Sequence, residues 1–182
     1  MNAKLTKCAA ALAFVGTLFL PVSKAEAEIL DSSTDGFTFE FSLPVDGHLK
    51  LVFDGLTQDI GQWWLADHTW YGRSENMSIR LIPGGCLCEI ADEMRFTEHL
   101  RVVKVEPHSL VRFSGGLGPL QAEGVDGVMD WSLANNPDEH MTTLTVRYRV
   151  GGYTGNDLSR WAPAVENVLQ QQMKSFQSYM KR

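Results

Sequence analysis

The segment MTTLTVRYRV, residues 141–150, alternates more regularly than any other part of the chain. Its apolar positions are Leu144, Val146, Tyr148 and Val150, and its polar positions are Thr143, Thr145, Arg147 and Arg149. Because successive side chains of a β-strand point to opposite faces, this pattern predicts a strand with one buried face. A chain built from such strands must cover that face with a second layer.

Several other segments predict strands. FTFEFSLP, residues 37–44, alternates in the same way, and we expect Pro44 to end it because proline donates no hydrogen bond. From Asn76 to Val150 the chain consists of short apolar segments separated by turn residues such as Pro83-Gly84-Gly85. Strands this close together predict an antiparallel sheet of about six to seven strands.

Helical spacing occurs at two places. After a possible cap at Asp46, the apolar positions Leu49, Val52, Phe53 and Leu56 predict a helix, and a short second turn follows through Ile60 and Trp63. Near the C-terminus, one apolar stripe predicts a long helix with Pro163 in its first turn. The stripe comprises Trp161, Val165, Val168, Leu169, Met173 or Gln172, Phe176 and Met180. The prediction is an α+β fold, a curved antiparallel sheet around a long C-terminal helix, with a cavity between them.

The first 27 residues have the pattern of a secretory signal peptide. Lys4 and Lys7 precede an uncharged apolar run, residues 8–20, and an Ala-Glu-Ala ending follows at residues 25–27. We expect cleavage after Ala27, a single mature domain of residues 28–182, and a periplasmic or secreted location. The net charge of −6 argues against nucleic acid and anionic membranes as partners, and no stable membrane insertion is expected after cleavage.

Cys86 and Cys88 lie two residues apart on a predicted strand, which places their Cα atoms about 6.6 Å apart. That is the upper limit for a disulfide. We therefore expect two unbridged thiols, with a strained disulfide as the alternative. No Cys or His has the spacing of a zinc site, and the sequence predicts no metal and no cofactor.

The segment IGQWWLADHTWYG, residues 60–72, concentrates aromatic residues. Because two adjacent tryptophans are not expected to point inward together, we expect one of Trp63 and Trp64 to be core and the other to face the cavity or solvent. The sequence does not decide which is which, and we assign Trp64 to the cavity. Trp64, Trp70 and Tyr71 are then the predicted mouth of a ligand cavity, with Trp131 and Tyr148 as its floor.

Candidates for acid–base chemistry are few. Asp67 and His68 could form a pair active near neutral pH, although a solvated loop is the simpler interpretation of two adjacent polar residues. Glu89 alternates with apolar neighbours on a predicted strand, where most charges face solvent and a few reach a cavity.

The order of these segments resembles the START-like or SRPBCC superfamily. The stretches that carry the resemblance are DGHLKLVFDGLTQDIGQWW, PGGCLCEI, VVKVEPHSLVRF, and the closing strands with LSRWAPAVENVLQQQMKSF. Within the superfamily they are most similar to the branch named after the ATPase activator of a heat-shock chaperone. The resemblance implies a helix-grip fold with a cavity for lipids, hormones or polyketides, and it carries no single catalytic motif.

These observations predict an exported protein that holds a small apolar or amphipathic ligand. A cyclase, hydratase or hydrolase using the same cavity is one alternative, and a protein-binding module is another. The sequence indicates neither the ligand nor the oligomeric state.

Overall fold

A computed structural model of the protein describes residues 28–138 and 140–182. Eight strands of these residues form one antiparallel sheet in the order β1-β2-β8-β7-β6-β5-β4-β3. Their bounds are β1 Glu28–Ser33, β2 Gly36–Asp46, β3 Met77–Ile79, β4 Cys86–Ile90, β5 Phe96–Glu106, β6 Leu110–Ser114, β7 Asp126–Asn135 and β8 Met141–Gly151. The order places β2 beside β8, so the two ends of the domain pair with each other.

Three α-helices accompany the sheet: α1 Leu49–Gln58, α2 Ile60–Trp63 and α3 Ala162–Met180. Short 3₁₀ turns lie at Ala66–His68, Ser74–Asn76, Gly118–Glu123 and Leu158–Arg160. The long helix α3 lies against β2, α1 and α2. The predicted α+β architecture, a curved antiparallel sheet around a long C-terminal helix, is confirmed. The sheet has eight strands instead of the predicted six to seven, and the two short helices follow the second strand because β1 was not predicted.

The predicted signal segment, residues 1–27, lies outside the described residues. Within the described part of the chain, no helix combines the length and the hydropathy needed to cross a membrane.

The alternation on β2 and β8 assigns the faces correctly. Phe37, Phe39 and Phe41 are buried on β2, and Tyr148 packs edge-on against the first two at 6.4 and 6.1 Å between ring centroids. Thr143, Thr145, Arg147 and Arg149 face the other side of the sheet, where Arg147 lies near Glu40. Burial of the aromatic face therefore fixes the register of the two strands, since a slip by one residue would expose it.

Pro44 does not end β2, contrary to expectation. The strand continues to Asp46, and Pro44 pairs with Thr143 of β8. The neighbour on the opposite side, β1, pairs with β2 only as far as Glu40, so Pro44 lies where β2 is an edge strand. Proline is tolerated there because no neighbouring strand needs its missing N–H. The helix cap is also displaced, from Asp46 to His48, which makes no side-chain cap bond.

Trp63 connects the short helices to α3. Its indole nitrogen donates to the carbonyl of Gly55 at 3.1 Å, and its own carbonyl accepts from Ser175 Oγ at 2.6 Å. Its ring lies 5.1 Å from that of Phe176. The backbone N–H of Leu65 adds a bond to Gln172 Oε1 at 2.8 Å. These contacts hold the C-terminal half of α3 onto the core.

Cys86 and Cys88 form a disulfide, so the prediction of two unbridged thiols is wrong. Their Cα atoms are 5.3 Å apart, closer than in a regular extended strand. The reason lies in the register of β4 and β5: Leu87 pairs with Leu100, but Cys88 pairs with Glu98. The resulting β-bulge lies on β5, opposite the cysteines, and the sequence spacing alone does not reveal it.

The disulfide can be checked by peptide mapping. Trypsin should release residues 81–95 as one peptide that contains both cysteines. Without a reductant, this peptide should be lighter by two hydrogens than after reduction, and it should not react with iodoacetamide. A peptide alkylated at both cysteines before reduction would contradict the structure.

Candidate functional site

A cavity of about 290 Å³ opens between the N-terminal half of α3 and two loops. One loop leads from α2 to β3, and the other follows β6. The volume is close to the lower limit of small-molecule sites in proteins. The lining residues are Trp64, Asp67, His68, Thr69, Trp70, His99, Leu117, Gly118, Pro119, Trp161, Ala164, Val165 and Val168.

Most of the wall is apolar. Trp161, the N-cap of α3, and Val165 and Val168 of the helix line this wall at helical spacing on the predicted stripe. Across the cavity lies Trp70, whose side chain is half-exposed. Its exposure places Trp70 at the mouth of the cavity.

His99 enters this wall because of the β-bulge. Since Leu87 pairs with Leu100 and Cys88 with Glu98, His99 is the extra residue on β5. A regular strand would turn His99 and Leu100 to opposite faces, yet both are buried. The bulge therefore directs an imidazole into an otherwise apolar region, a common use of bulges near functional sites.

Glu89 of β4 is fully buried behind His99. One oxygen accepts from the backbone N–H of Trp70 at 2.8 Å and lies 3.2 Å from His99 Nε2. The other oxygen accepts from the backbone N–H of Tyr71, also at 2.8 Å. Three donors thus converge on one carboxylate, which ties the mouth loop, the sheet and the imidazole together.

The protonation of His99 follows from these contacts. Burial lowers the pKa of His99 below its ordinary value of 6.5, although the adjacent carboxylate of Glu89 acts in the opposite direction. The imidazole is then neutral at pH 7. A neutral ring that donates from Nε2 to Glu89 has a lone pair on Nδ1 and can accept a hydrogen bond there.

The second loop is held by Tyr148. Its hydroxyl donates to the carbonyl of Gly115 at 2.7 Å and accepts from the N–H of Leu117 at 2.9 Å. Burial raises the pKa of Tyr148, so the phenol remains neutral. Tyr148 thus supports the wall at Leu117 and Gly118 from behind, and the wall does not include it.

Both adjacent tryptophans are buried, so the expectation that they do not point inward together is wrong. Helix α2 ends at Trp63, and the backbone of Trp64 is extended, which directs two consecutive side chains inward. Trp64 nevertheless lines the inner part of the cavity, and its indole donates to the carbonyl of His68 at 3.1 Å.

The other predicted ligand contacts lie elsewhere. Trp131 is buried in the core between Trp63 and Phe113, and it does not form the cavity floor. Tyr71 is half-buried beside Thr97, at 3.4 Å between hydroxyls, and is also absent from the lining. Of the five predicted contacts, the structure brings Trp64 and Trp70 to the cavity.

The acid–base candidates are rearranged as well. Asp67 and His68 line the cavity, but His68 Nε2 lies 3.4 Å from Gln171 and makes no bond with Asp67. Glu89 acts from behind the wall through His99, which the sequence analysis missed. Its position beside Leu100 in an alternating strand gave no local signal of burial. Among residues 28–138 and 140–182, no cluster of three or more metal-ligating side chains occurs.

Comparison with known proteins identifies the fold alone. No protein-family model and no curated protein matches the chain. Three solved structures share its architecture. A protein from Mesorhizobium loti has a TM-score of 0.56 at 17% identity, covering 80% of this chain and 97% of its own. DynU16, a protein in the dynemicin biosynthetic locus, has a TM-score of 0.53 at 17% identity, covering 78% of this chain and 46% of its own.

The third structure is the Aha1 dimer from Colwellia psychrerythraea, with a TM-score of 0.52 at 12% identity, covering 79% of this chain and 95% of its own. Together with the topology of the sheet and α3, these likenesses define a helix-grip fold. Fold likeness at such identities does not assign a function.

The role of Glu89 can be measured with a matched pair of glutamates. In Glu89→Gln an amide NH₂ would face a backbone N–H or His99, leaving a buried donor unpaired. We expect the free energy of unfolding to fall by about 3 kcal/mol. Glu98→Gln, an exposed neighbour on β5 that contacts Arg101, should change it little. If denaturant unfolding shows the same loss of stability for Glu89→Gln and Glu98→Gln, the proposed role of Glu89 is wrong.

Proposed function

We propose that the protein binds a small, mostly apolar molecule in the cavity between α3 and its two facing loops. The observation that carries the proposal is the composition of the wall. Apolar side chains from α3 and the loops surround a space of about 290 Å³, and one buried polar pair, His99 and Glu89, lies at its edge. A concave apolar site with few oriented polar groups is typical of small-molecule binding.

The charges around the cavity favour a ligand without negative charge. Among the described lining residues there is no lysine or arginine, and Asp67 is the acidic one. A carboxylate or phosphate would therefore lose its hydration without gaining a counter-ion. The acidic chain as a whole acts in the same direction.

Acid–base catalysis in the same cavity is the second candidate function, and the His99–Glu89 pair favours it. A neutral imidazole oriented by a carboxylate is a common general base. Mass spectrometry of a co-purifying molecule, before and after incubation with the protein, separates the two functions. Binding leaves that molecule unchanged, whereas catalysis converts it.

We also propose that the protein works in the periplasm or outside the cell. The signal-like segment supports this location, and so does the disulfide, because disulfides persist in oxidising compartments. The measurement is the N-terminal residue of protein isolated from outside the cytoplasm of its native host. We expect Glu28, and an intact Met1 on such protein would contradict processing after Ala27.

The predicted branch around the heat-shock-chaperone activator is a further part of the proposal. Its support is the order of the sequence motifs and the likeness of the fold to the Aha1 dimer.

Naphthalene is a suitable neutral probe for the cavity. Titration followed by NMR should shift the indole N–H signals of Trp64, Trp70 and Trp161, which line the wall. Val165→Trp places a large ring in the cavity and should weaken naphthalene binding by about tenfold or more. Asn167→Trp makes the same change on an exposed position of α3 outside the lining, and it should bind as the parent does.

Both variants should melt cooperatively, since neither removes a fully buried side chain. Absence of naphthalene binding in the parent, or equal weakening by the two variants, would overturn the proposed cavity.

A further inference from the structure

The wall of the cavity offers few free hydrogen-bonding groups. Thr69 Oγ1 donates to the carbonyl of Ala66 at 2.7 Å, and the N–H of Leu117 is bound by Tyr148. His68 lies at the half-buried edge next to Gln171, and Asp67 is exposed to solvent. Most polar groups near a bound molecule are therefore either paired within the protein or hydrated.

His99 differs from these groups. Its Nε2 is paired with Glu89, and within the described residues its Nδ1 makes no hydrogen bond. The side chain of His99 is only 3% exposed, yet Nδ1 is not one of the fully buried polar atoms that lack a partner. His99 belongs to the cavity wall, so Nδ1 is the ring nitrogen that remains available to a bound molecule there.

The direction of a hydrogen bond at Nδ1 is set by Glu89. The carboxylate of Glu89 accepts hydrogen bonds from two backbone N–H groups and has no proton to donate. The neutral imidazole of His99 must therefore donate to it, so its proton lies on Nε2. The lone pair then lies on Nδ1, on the side of the cavity. A ligand group facing it must be a donor, and a hydroxyl is the neutral donor that suits an apolar site.

We propose that His99 Nδ1 is the recognition point of the cavity and selects apolar molecules bearing a hydroxyl group, such as phenols, enols or hydrophobic alcohols. This inference rests on the proposed binding function and specifies its ligand class. Glu89 is a positioning residue, since it fixes the tautomer of His99 and does not reach the cavity. The imidazole of His99 thus distinguishes a ligand with a hydroxyl group from a hydrocarbon or an ether of similar shape.

Three probes of nearly the same shape test the inference: naphthalene, 2-naphthol and 2-methoxynaphthalene. One additional hydrogen bond should make 2-naphthol bind about fivefold more tightly than naphthalene. 2-Methoxynaphthalene has an acceptor and no donor, so it should gain nothing over naphthalene. Calorimetric titration of the full chain measures all three affinities.

His99→Leu removes the acceptor and keeps a similar volume. In this variant 2-naphthol and naphthalene should bind within about twofold of each other. His68→Leu tests the competing assignment, in which His68 and not His99 accepts the hydrogen bond from the ligand. Loss of the 2-naphthol preference in His68→Leu, with retention in His99→Leu, would overturn the proposal.

A pH titration of the unmodified protein tests the proposal without a variant. Protonation of His99 places a hydrogen on Nδ1, which can then donate to the oxygen of either probe. The preference for 2-naphthol over 2-methoxynaphthalene should therefore be present at pH 7 and disappear as the pH falls through the lowered pKa of His99. The other titratable groups near His99 are Asp67 and His68, which line the cavity, and Glu89, which contacts His99 from behind the wall. By linkage, bound 2-naphthol should lower the pKa of His99 further in NMR, and naphthalene should have a smaller effect.

The outcomes separate the two proposals. If naphthalene does not bind, the proposed cavity itself fails. If naphthalene binds but 2-naphthol has no preference at pH 7, or keeps its preference over 2-methoxynaphthalene after His99 is protonated, the cavity remains and the role of His99 is wrong.

Discussion

The buried carboxylate of Glu89 is the interaction on which the site depends. An isolated charge at a fully buried position would be costly, and here three donors offset that cost: the backbone N–H groups of Trp70 and Tyr71 and the ring of His99. The donors come from different parts of the chain. One side chain therefore fixes the mouth loop to the sheet and orients the imidazole at the cavity wall.

Glu89 can do this because β4 and β5 are irregular beside it. The bulge gives β5 one extra residue, and that residue is His99. On the opposite strand, Cys86 and Cys88 approach closely enough for a disulfide. The disulfide and the bulge are parts of one local distortion, which directs a polar ring into an apolar interior.

The cavity follows from how α3 meets the sheet. In its C-terminal half, packing is dense: Phe176 packs against Trp63, and Gln172 accepts a hydrogen bond from Leu65. Its N-terminal half faces the mouth loop and the loop after β6, whose position is set by Tyr148. Two loops cover a helix less completely than a sheet does, so space remains for a ligand beside Trp161 and Val165.

The sequence by itself determined the regular parts of the molecule. Alternation assigned Tyr148 and Phe39 to the buried face, and helical spacing placed Leu169 and Phe176 on the buried stripe of α3, because period and burial are coupled locally. Trp70 at the mouth was also predicted. Tertiary structure decided the burial of Trp64, the Cys86–Cys88 disulfide and the entry of His99 into the wall. Each depends on a break in regular geometry, at the end of α2 or at the bulge in β5, and such a break arises from packing between distant segments and leaves no periodic signal in the chain.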